Sequence, residues 1–276
     1  MTPRPPVVLL RQSLAAPAEL VAAARAGFTV LASRAHLAYA ERGARVIPRY
    51  SVLPEPEEFY ADLAHLAAVP ANDLRAHQYL ADALAWSGDF PDDTPRTWEY
   101  RSLARGDLPG LGPWVVKGRT NSRKGSWSRR MYAATPADVG RAALSLLDDA
   151  ELARQGLVVR EHVALAVLRA RTRDVADLPP VADEWRFFGW GRDVLASGFY
   201  WHEDVEQSPP TPPGAEEFIR DAVAPVVAER ARFWVADVAR RAAGGWVLVE
   251  LNDGQQSGPQ GVPPDVLYRG LAAARW

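Results

Sequence analysis

The chain contains no cysteine among its 276 residues, which excludes disulfide bonds, thiolate metal sites and cysteine nucleophiles. A reducing cytoplasm is compatible with that composition. The first apolar run, residues 7–10, is too short for a signal peptide or a membrane-spanning helix. We therefore expect a soluble cytoplasmic protein that makes no contact with a membrane.

Several types of functional site also lack support. The five histidines form no pair at the spacing of zinc ligands. No G-x-S-x-G turn or Ser-His-Asp order supports hydrolase chemistry, and no Walker spacing supports a P-loop NTPase. The formal net charge is only −2, so any affinity for a polyanion must come from a local patch.

What the chain does contain is typical of a folded globular protein. Its hydrophobic fraction is 48% and it has ten tryptophans, and its length suits one large domain or two modest ones. The first part predicts a small α/β unit followed by a connecting segment rich in Pro, Asp and Gly. The predicted elements are strands at 7–10, 28–31 and 46–47, a helix at 17–26, helical periodicity over 56–86 and the connection at 88–113.

The second part predicts a mixture of strands and helices. Thr135 has the features of a helix N-cap, with a proline at the next position and an acid at the third. A helix from residue 216 is interrupted or bent at Pro225. The predicted strands are 114–117, 157–163, 184–188 with a turn at 189–191, 194–200, 233–238 and 246–252.

The most informative stretch is the last predicted strand. Alternation puts three apolar residues on its core side, namely Val247, Val249 and Leu251. Glu250 and Asn252 then share the opposite face, where two oxygen-bearing side chains are costly to bury unless they are satisfied. Mg²⁺ would satisfy them, and Asp237 at the end of the preceding strand could supply a third oxygen. The alternative is an ordinary polar strand end at a sheet edge.

A basic, flexible segment follows the strand at residues 114–117. Between residues 117 and 130 there is no acid, and glycines and serines are interspersed with six cations: Lys117, Arg119, Arg123, Lys124, Arg129 and Arg130. Small residues let backbone N–H groups approach an anion, and the cations neutralise it. The segment therefore suits a polyphosphate, with Lys117 on a fixed strand end and Lys124 on the loop. The alternative is a solvated basic loop.

The order of these features resembles the ATP-grasp superfamily, which comprises ATP-dependent ligases. The resemblance covers about residues 112–258. It implies an α+β fold in which two subdomains grip ATP, preceded by a small α/β N-terminal domain. The implied boundaries are 1–111 for the N-terminal domain and 112–276 for the ATP-grasp domain, with a lid subdomain at 112–163 and a metal-binding subdomain at 164–276.

The resemblance also implies how the nucleotide is held. Lys117 would contact the α-phosphate and the adenine edge. Lys124, with Gly125 and Ser126, would close over the β- and γ-phosphates. The hinge between the subdomains would bind adenine and the ribose hydroxyls of ATP through Arg160, Glu161, His162 and Val163.

Catalytic and metal roles follow in the same way. Lys117, Lys124 and Arg186 would form the catalytic set, with Arg186 paired to the phosphoryl group that is transferred. One or two Mg²⁺ ions bridging the phosphates would be held by Asp237, Glu250 and Asn252.

This chain departs from the usual family pattern around the hinge and after the metal strand. Glu161 is flanked by Arg160 and His162, and residues 253–258 replace a proline that often follows the asparagine. The differences resemble a small stand-alone subgroup with an arginine and paired lysines in the nucleotide site. Its members have been considered both as amide or peptide ligases and as RNA-end ligases.

Three functions therefore remain open. An amide-forming ligase would phosphorylate a carboxylate for attack by an amine, and Arg119, Arg123 and Arg129 could hold that carboxylate. An RNA ligase or repair enzyme is favoured by Trp127 within the basic loop. The third is a nucleotide-binding module without catalysis. The identities of the acid and nucleophile, the release of ADP or AMP, the oligomeric state and the role of the N-terminal domain are not fixed by the sequence.

Overall fold

A computed structural model describes residues 6–11, 13–39, 41–103, 108, 110, 112–120, 126–169 and 177–276. The chain divides into two units, each assembled from separate segments. Unit 1 comprises Met1–Leu80, Trp185–Asp237 and Leu251–Trp276, and unit 2 comprises Ala81–Glu184 and Val238–Glu250. The boundary predicted after residue 111 lies within unit 2.

Unit 1 begins with the small α/β unit that the sequence predicted, and its sheet is parallel. Its strands are in the order β2-β1-β3-β4, and each neighbouring pair is parallel. The region of helical periodicity predicted over 56–86 contains helices, but β4 interrupts it after Ala67, which has a positive φ of 51°. The elements are β1 (Val7–Leu9), α1 (Pro17–Arg25), β2 (Thr29–Leu31), β3 (Arg45–Ile47), α2 (Pro56–His65), β4 (Val69–Pro70) and α3 (Leu74–Ala81).

A second sheet has the strand order β12-β11-β13-β14. Its strands are β11 (Glu184–Trp190), β12 (Asp193–Phe199), β13 (Phe233–Arg240) and β14 (Trp246–Asp253). The predicted turn at 189–191 begins too early, because β11 continues past a bulge after Phe188 and ends at Trp190. The chain leaves unit 1 after Asp237 and returns at Leu251, so the tip of the β13–β14 hairpin belongs to unit 2.

Helices complete unit 1. The predicted helix from residue 216 is divided into α7 (Pro213–Phe218), a π-helical turn (Ile219–Val223) and α8 (Ala224–Val227). One helix that was not predicted from the sequence is α9 (Pro264–Ala273). Three side chains of α9, Leu267, Tyr268 and Leu271, are buried in a core that also contains residues of α1 and β11.

Unit 2 is built on an antiparallel sheet with the order β5-β8-β6-β7. The segment over 88–113 is more than the connection that we predicted, because β5 lies in it and pairs with β8. The elements of unit 2 are α4 (Ala83–Ser87), β5 (Thr97–Glu99), β6 (Trp114–Gly118), β7 (Tyr132–Ala133), α5 (Pro136–Leu147), α6 (Ala150–Gln155), β8 (Leu157–Glu161), β9 (Val167–Arg169) and β10 (Val181–Ala182).

Helix α5 begins where the sequence predicted. The Thr135 hydroxyl accepts a hydrogen bond from the Asp138 backbone N–H, and the Asp138 carboxylate accepts one from the Thr135 backbone N–H. This capping box satisfies N–H groups that have no partner within the helix. The buried face of α5 packs on the sheet through Val139, Ala142, Ala143 and Leu146.

Within the part of the chain that the structure describes, no helix is both long enough and apolar enough to cross a membrane.

Leu146→Ala is expected to lower the free energy of unfolding by about 2–5 kcal/mol, because it opens a cavity in the core of unit 2. Leu146 is 0% exposed, whereas Leu144 on the same helix is 68% exposed. Leu144→Ala is the matched control and should change stability by no more than about 0.5 kcal/mol. Chemical denaturation of both variants measures the difference, and equal effects would contradict the assigned face of α5.

Candidate functional site

Lys117 and Glu250 form a shielded ion pair inside unit 2. Lys117 lies on the inner strand β6, next to Val158 of β8, and its Nζ donates a hydrogen bond to Glu250 Oε1. The two side chains are only 7% and 15% exposed. Burying the Lys117 ammonium or the Glu250 carboxylate alone would be costly, because each would lose its hydration. In the pair, the opposite charges offset part of that cost. The structure thus joins two predicted site residues that are 133 positions apart in sequence.

Arg160 fixes the backbone that precedes Glu250. Its guanidinium donates to the Thr97 hydroxyl at 3.0 Å, the Thr94 hydroxyl at 2.9 Å and the Val249 carbonyl at 2.7 Å. Thr94 in turn donates to the Leu248 carbonyl at 2.7 Å. The side chain is therefore tied to β14 through two consecutive peptide groups.

The Arg160 guanidinium has neutral hydrogen-bond acceptors and no carboxylate among these three contacts. Burial lowers the pKa of Arg160 to about 10, while the charge of Glu250 acts to raise it. Arg160 remains a cation near neutral pH. The buried positive charge of Arg160 is therefore additional to the Lys117–Glu250 pair and favours the approach of an anion.

The predicted hinge residues follow directly after Arg160. The Glu161 carboxylate is paired with Arg96, and this hydrogen bond lowers the pKa of Glu161. His162 packs against two aromatic rings, with centroid distances of 5.1 Å to Tyr132 and 6.4 Å to Trp127. Burial lowers the pKa of His162, so its imidazole is neutral at pH 7.

Residues 162–164, which include His162 and Val163, lie outside any helix or strand. The neutral imidazole and the backbone groups there could therefore face a neutral ring such as adenine.

The C-terminal end of the basic segment is anchored by Asp177. The Trp127 backbone N–H donates to the Asp177 carbonyl at 2.7 Å. The Asp177 carboxylate accepts from the Ser128 N–H at 2.6 Å and from the Arg129 N–H and Nε at 3.1 Å. Burial acts to raise the pKa of Asp177, but these hydrogen bonds outweigh it and lower the pKa to about 2.

The other members of the basic segment fall into two groups. Arg119 donates through Nε to Asp82 at 3.1 Å, and this hydrogen bond raises its pKa. Arg130 donates to the Ser145 carbonyl, and Ser126 directly precedes the π-helical turn Trp127–Met131. Three predicted residues, Arg123, Lys124 and Gly125, lie outside the described residues.

Arg186 and Asp237 form a second buried ion pair, in unit 1. Nε and Nη2 of Arg186 donate to the two oxygens of Asp237, each at 2.7 Å, and Nη1 donates to the Gly258 carbonyl at 2.8 Å. The Tyr200 ring lies 5.2 Å from the guanidinium carbon. The expectation that Asp237 ends a strand is wrong, because β13 continues to Arg240.

The burial of side chains along β14 agrees in part with the predicted alternation. Val247 and Leu251 are buried and Val249 is half-buried. Asn252 is half-buried, on the opposite face from the fully engaged carboxylate of Asp253. Glu250 and Asn252 therefore both keep some exposed surface.

The chemistry of this donor set fits Mg²⁺, which binds carboxylate and amide oxygens. Among the described residues, no group of three or more His, Cys, Asp and Glu side chains is arranged to hold a metal ion. The predicted trio contains only two such side chains, Asp237 and Glu250, because its third member is Asn252. Its role as a metal site stays a prediction.

Sequence reasoning missed a buried polar network in unit 1. It surrounds the Asp253 carboxylate and contains Asn72, His77 and Gln255. The local sequence signal was the position of Asp253, directly after Asn252 and therefore on the opposite face of the strand. His77 lies 176 positions before Asp253, and nothing in its own neighbourhood points to that partner.

Comparisons with known proteins agree with this fold. A sequence model of a family of ATP-grasp domains, numbered three within its clade, matches residues 104–271. A search of curated proteins gives no match. A D-cycloserine synthetase, DcsG, has a similar structure with a TM-score of 0.64 and 14% identity, over 96% of this chain and 98% of that one.

Two further similar structures have ligands in their names. D-alanine–D-alanine ligase from Bacillus anthracis, complexed with ATP, has a TM-score of 0.59 and 13% identity over 98% of this chain and 94% of that one. The ATP-grasp ligase PsnB, complexed with a precursor variant, Mg and ADP, has a TM-score of 0.57 and 12% identity over 98% of both chains. The predicted α+β ATP-grasp fold is confirmed.

The low pKa of Asp177 gives a prediction that NMR titration can check. We expect its carboxyl resonance to titrate near pH 2, against about 3.9 for an unperturbed aspartate. Because the folded-state pKa is the lower one, this carboxylate stabilises the fold above about pH 4. That contribution is lost as the pH falls through 2.

The Ser128 hydroxyl also donates a hydrogen bond to the Asp177 carboxylate. Ser128→Ala removes this donor and should raise the midpoint of the Asp177 titration. A midpoint near 3.9 in the parent protein, or no response to Ser128→Ala, would contradict the described anchoring.

Proposed function

The chain belongs to this ATP-grasp domain family, and from this premise we propose that it is an ATP-dependent ligase. It would activate an acid group by phosphoryl or adenylyl transfer and join it to a nucleophile, with a carboxylate and an amine as the best-supported pair. The observation that carries the proposal is the contact between Lys117 and Glu250 inside unit 2.

Lys117 is suited to a phosphate because its present counter-ion can be exchanged. A phosphate oxygen that reaches Nζ would compete with Glu250 for the ammonium group. Glu250, when displaced, would become a carboxylate without its partner, and a divalent cation bound with the phosphates would compensate it. The buried charge of Arg160 stays in place throughout, so the local field favours an anion before and after the exchange.

Mg²⁺ would be held by Glu250 and Asn252, with Asp237 as the third member of the predicted set. Glu250 keeps 15% of its side chain exposed and Asn252 is half-buried, so their oxygens fit direct contact with one or two ions. When bound, the metal would neutralise phosphate charge and polarise the phosphoryl oxygens.

Asp237 differs from the other two members because it is 0% exposed and bonded through both oxygens to Arg186. Its direct participation would require Arg186 to turn toward another anion. The phosphoryl group being transferred is such an anion, and the planar guanidinium can bind two of its oxygens at once. Arg186 would thus stabilise charge that develops during transfer.

The remaining predicted ATP contacts keep their proposed roles. Lys124, Gly125 and Ser126 would cover the β- and γ-phosphates. Glu161 would take the ribose hydroxyls, and the neutral His162 with Val163 would face the adenine ring.

The acid substrate would have to meet cations that keep an exposed surface. Arg119 is engaged by Asp82, which makes it a weaker candidate than the sequence indicated. Arg129 remains 72% exposed although its Nε contacts Asp177, and Trp127 lies beside it. We propose these two residues, together with Arg123, for the substrate side of the loop.

An amide ligase is favoured over an RNA ligase by the partners of the basic segment. Three of its cations, Lys117, Arg119 and Arg129, are paired with acids that lie elsewhere in unit 2. The segment therefore offers less free positive charge than its composition indicates, which weakens the case for a polyanion groove. The comparisons give no support to the RNA-ligase alternative.

Separating the Lys117–Glu250 pair is expected to affect stability and function differently. Lys117→Met and Glu250→Gln each leave the partner charge without compensation, and each should lower the free energy of unfolding by about 3 kcal/mol. The double variant removes both charges and should recover most of that loss. Calorimetry or chemical denaturation of the three variants measures the effect.

ATP binding should not recover in the double variant. Lys117→Met should weaken ATP affinity at least about tenfold, and Glu250→Gln should slow ATP turnover by about 10²–10³. Titration with a non-hydrolysable ATP analogue and a turnover assay provide the readouts. ATP affinity close to that of the parent protein in the double variant would overturn the proposal.

The reaction class can be assigned by supplying candidate substrates in turn. With carboxylic acids and amines, we expect substrate-dependent release of ADP or AMP together with an amide product, found by chromatography and mass spectrometry. Binding of the substrate should depend weakly on salt. Joining of broken RNA, with a steep loss of RNA binding as salt increases, would instead select the alternative.

A further inference from the structure

The Asp253 carboxylate is held by four hydrogen bonds in the interior of unit 1. It accepts from His77 Nδ1 at 2.8 Å and from Asn72 Nδ2 at 2.8 Å. It also accepts from the backbone N–H of Gln255 at 2.9 Å and from its side-chain amide at 3.0 Å. Asp253 is 2% exposed and His77 is 4% exposed. A carboxylate this deeply buried is tolerated because its acceptor capacity is satisfied.

Asn72 connects this carboxylate to the beginning of β13. Its side-chain oxygen accepts from the backbone N–H groups of Arg232 and Phe233, both at 2.9 Å. Its side-chain amide donates to the Phe233 carbonyl at 2.6 Å as well as to Asp253. Its backbone N–H donates to the Gln255 side chain at 3.0 Å. Asn72 therefore ties β13 and the end of β14 together through every polar group of its side chain.

The network constrains a residue that it does not touch. Asn252 directly precedes Asp253, and successive side chains of a strand point to opposite faces. When Asp253 is fixed on the buried face, the peptide between the two residues is fixed, and Asn252 is kept on the other face. Phe233, at the other end of the network, begins the strand that carries Asp237 four residues later.

We propose that Asn72 and His77 are positioning residues for the metal-binding end of β14. They hold Asp253 so that Asn252 presents its amide oxygen to Mg²⁺. This inference rests on the proposed function, because it takes Asn252 to be a ligand of the metal that the proposed ligase would use. Replacing residues that hold metal ligands in place without binding the metal themselves commonly weakens metal binding by about 10–100-fold.

His77 is a better residue to test than Asn72. Its variants distinguish the effect of the position of the hydrogen-bond donor from the effect of side-chain volume. Asparagine places an N–H near the position of Nδ1, so His77→Asn should preserve the bond to Asp253. His77→Ala removes the donor, and His77→Gln retains bulk but moves the N–H farther from the backbone. A matched control is Tyr268→Phe, which removes a buried hydrogen bond from Tyr268 to Glu19 in the same unit.

The experiment measures Mn²⁺ binding by electron paramagnetic resonance in the presence of a non-hydrolysable ATP analogue, together with the melting temperature. His77→Ala should raise the apparent Mn²⁺ dissociation constant about 10–100-fold, and His77→Asn should recover most of that loss. Tyr268→Phe should lower the melting temperature and leave the Mn²⁺ constant unchanged. If His77→Ala does not fold, the Mn²⁺ dissociation constants of His77→Gln and His77→Asn are compared instead, and that of His77→Gln should be the higher.

Two results would overturn the inference alone: Mn²⁺ affinity of His77→Ala or His77→Gln equal to that of the parent protein, or an equal loss in Tyr268→Phe. Either leaves the proposed function standing, because the parent protein still binds the metal with the nucleotide. Absence of nucleotide-dependent Mn²⁺ binding in the parent protein would instead overturn the metal assignment and this inference together.

Discussion

The buried ion pair between Lys117 and Glu250 is the constraint on which the arrangement of unit 2 depends. An ammonium group on an inner strand cannot remain charged in the protein interior without a counter-charge, and Glu250 provides it from the tip of the β13–β14 hairpin. Arg160 then holds the same strand by its backbone. The fold therefore cannot lose one of these charges and keep the other without a cost in stability. The same charges are the ones that a phosphate and a divalent cation would use.

The same arrangement recurs in unit 1, where Arg186 and Asp237 satisfy each other through two hydrogen bonds. In both units a predicted metal ligand is paired with a predicted phosphate ligand. Such pairs keep each group ionised in the protein interior, so an anion and a cation that replace the internal partners would meet charges that are already in place. Preorganisation of this type is what phosphoryl transfer demands of a protein, since the reaction needs positioned charge more than covalent assistance.

The sequence predicted those parts of the fold that local patterns specify. The N-cap at Thr135, the strand around Glu250 and the first three strands of the N-terminal unit are specified by neighbours in the chain, and all were found. β5 and α9 were missed because their identity depends on distant partners, β8 and the core of unit 1. Strand lengths failed for a related reason, since β13 continues past Asp237 through pairing that its own residues do not reveal.

The candidate site divides in the same way. Residue types on predicted strands singled out Lys117, Asp237 and Glu250, because charged side chains on buried strands are rare. The family resemblance added Arg186. The residue types and the resemblance did not reveal which cation pairs with which acid. Nor did they reveal the Asp253 network, because its members look like ordinary polar residues until the fold collects them.

The hydrogen-bond network around Asp253 joins residues from inside and outside the segment that matches the family model. The family match begins at residue 104, yet Asn72 and His77, which satisfy the Asp253 carboxylate, precede it. A protein reduced to the matched segment would retain the Asp253 carboxylate and lose the hydrogen bonds that Asn72 and His77 donate to it. The carboxylate would then be buried with two of its four hydrogen bonds missing. The segment that matches the family model therefore lacks residues that complete the interior of unit 1, and the preceding residues Met1–Leu80 are structural parts of that unit rather than an appendage to it.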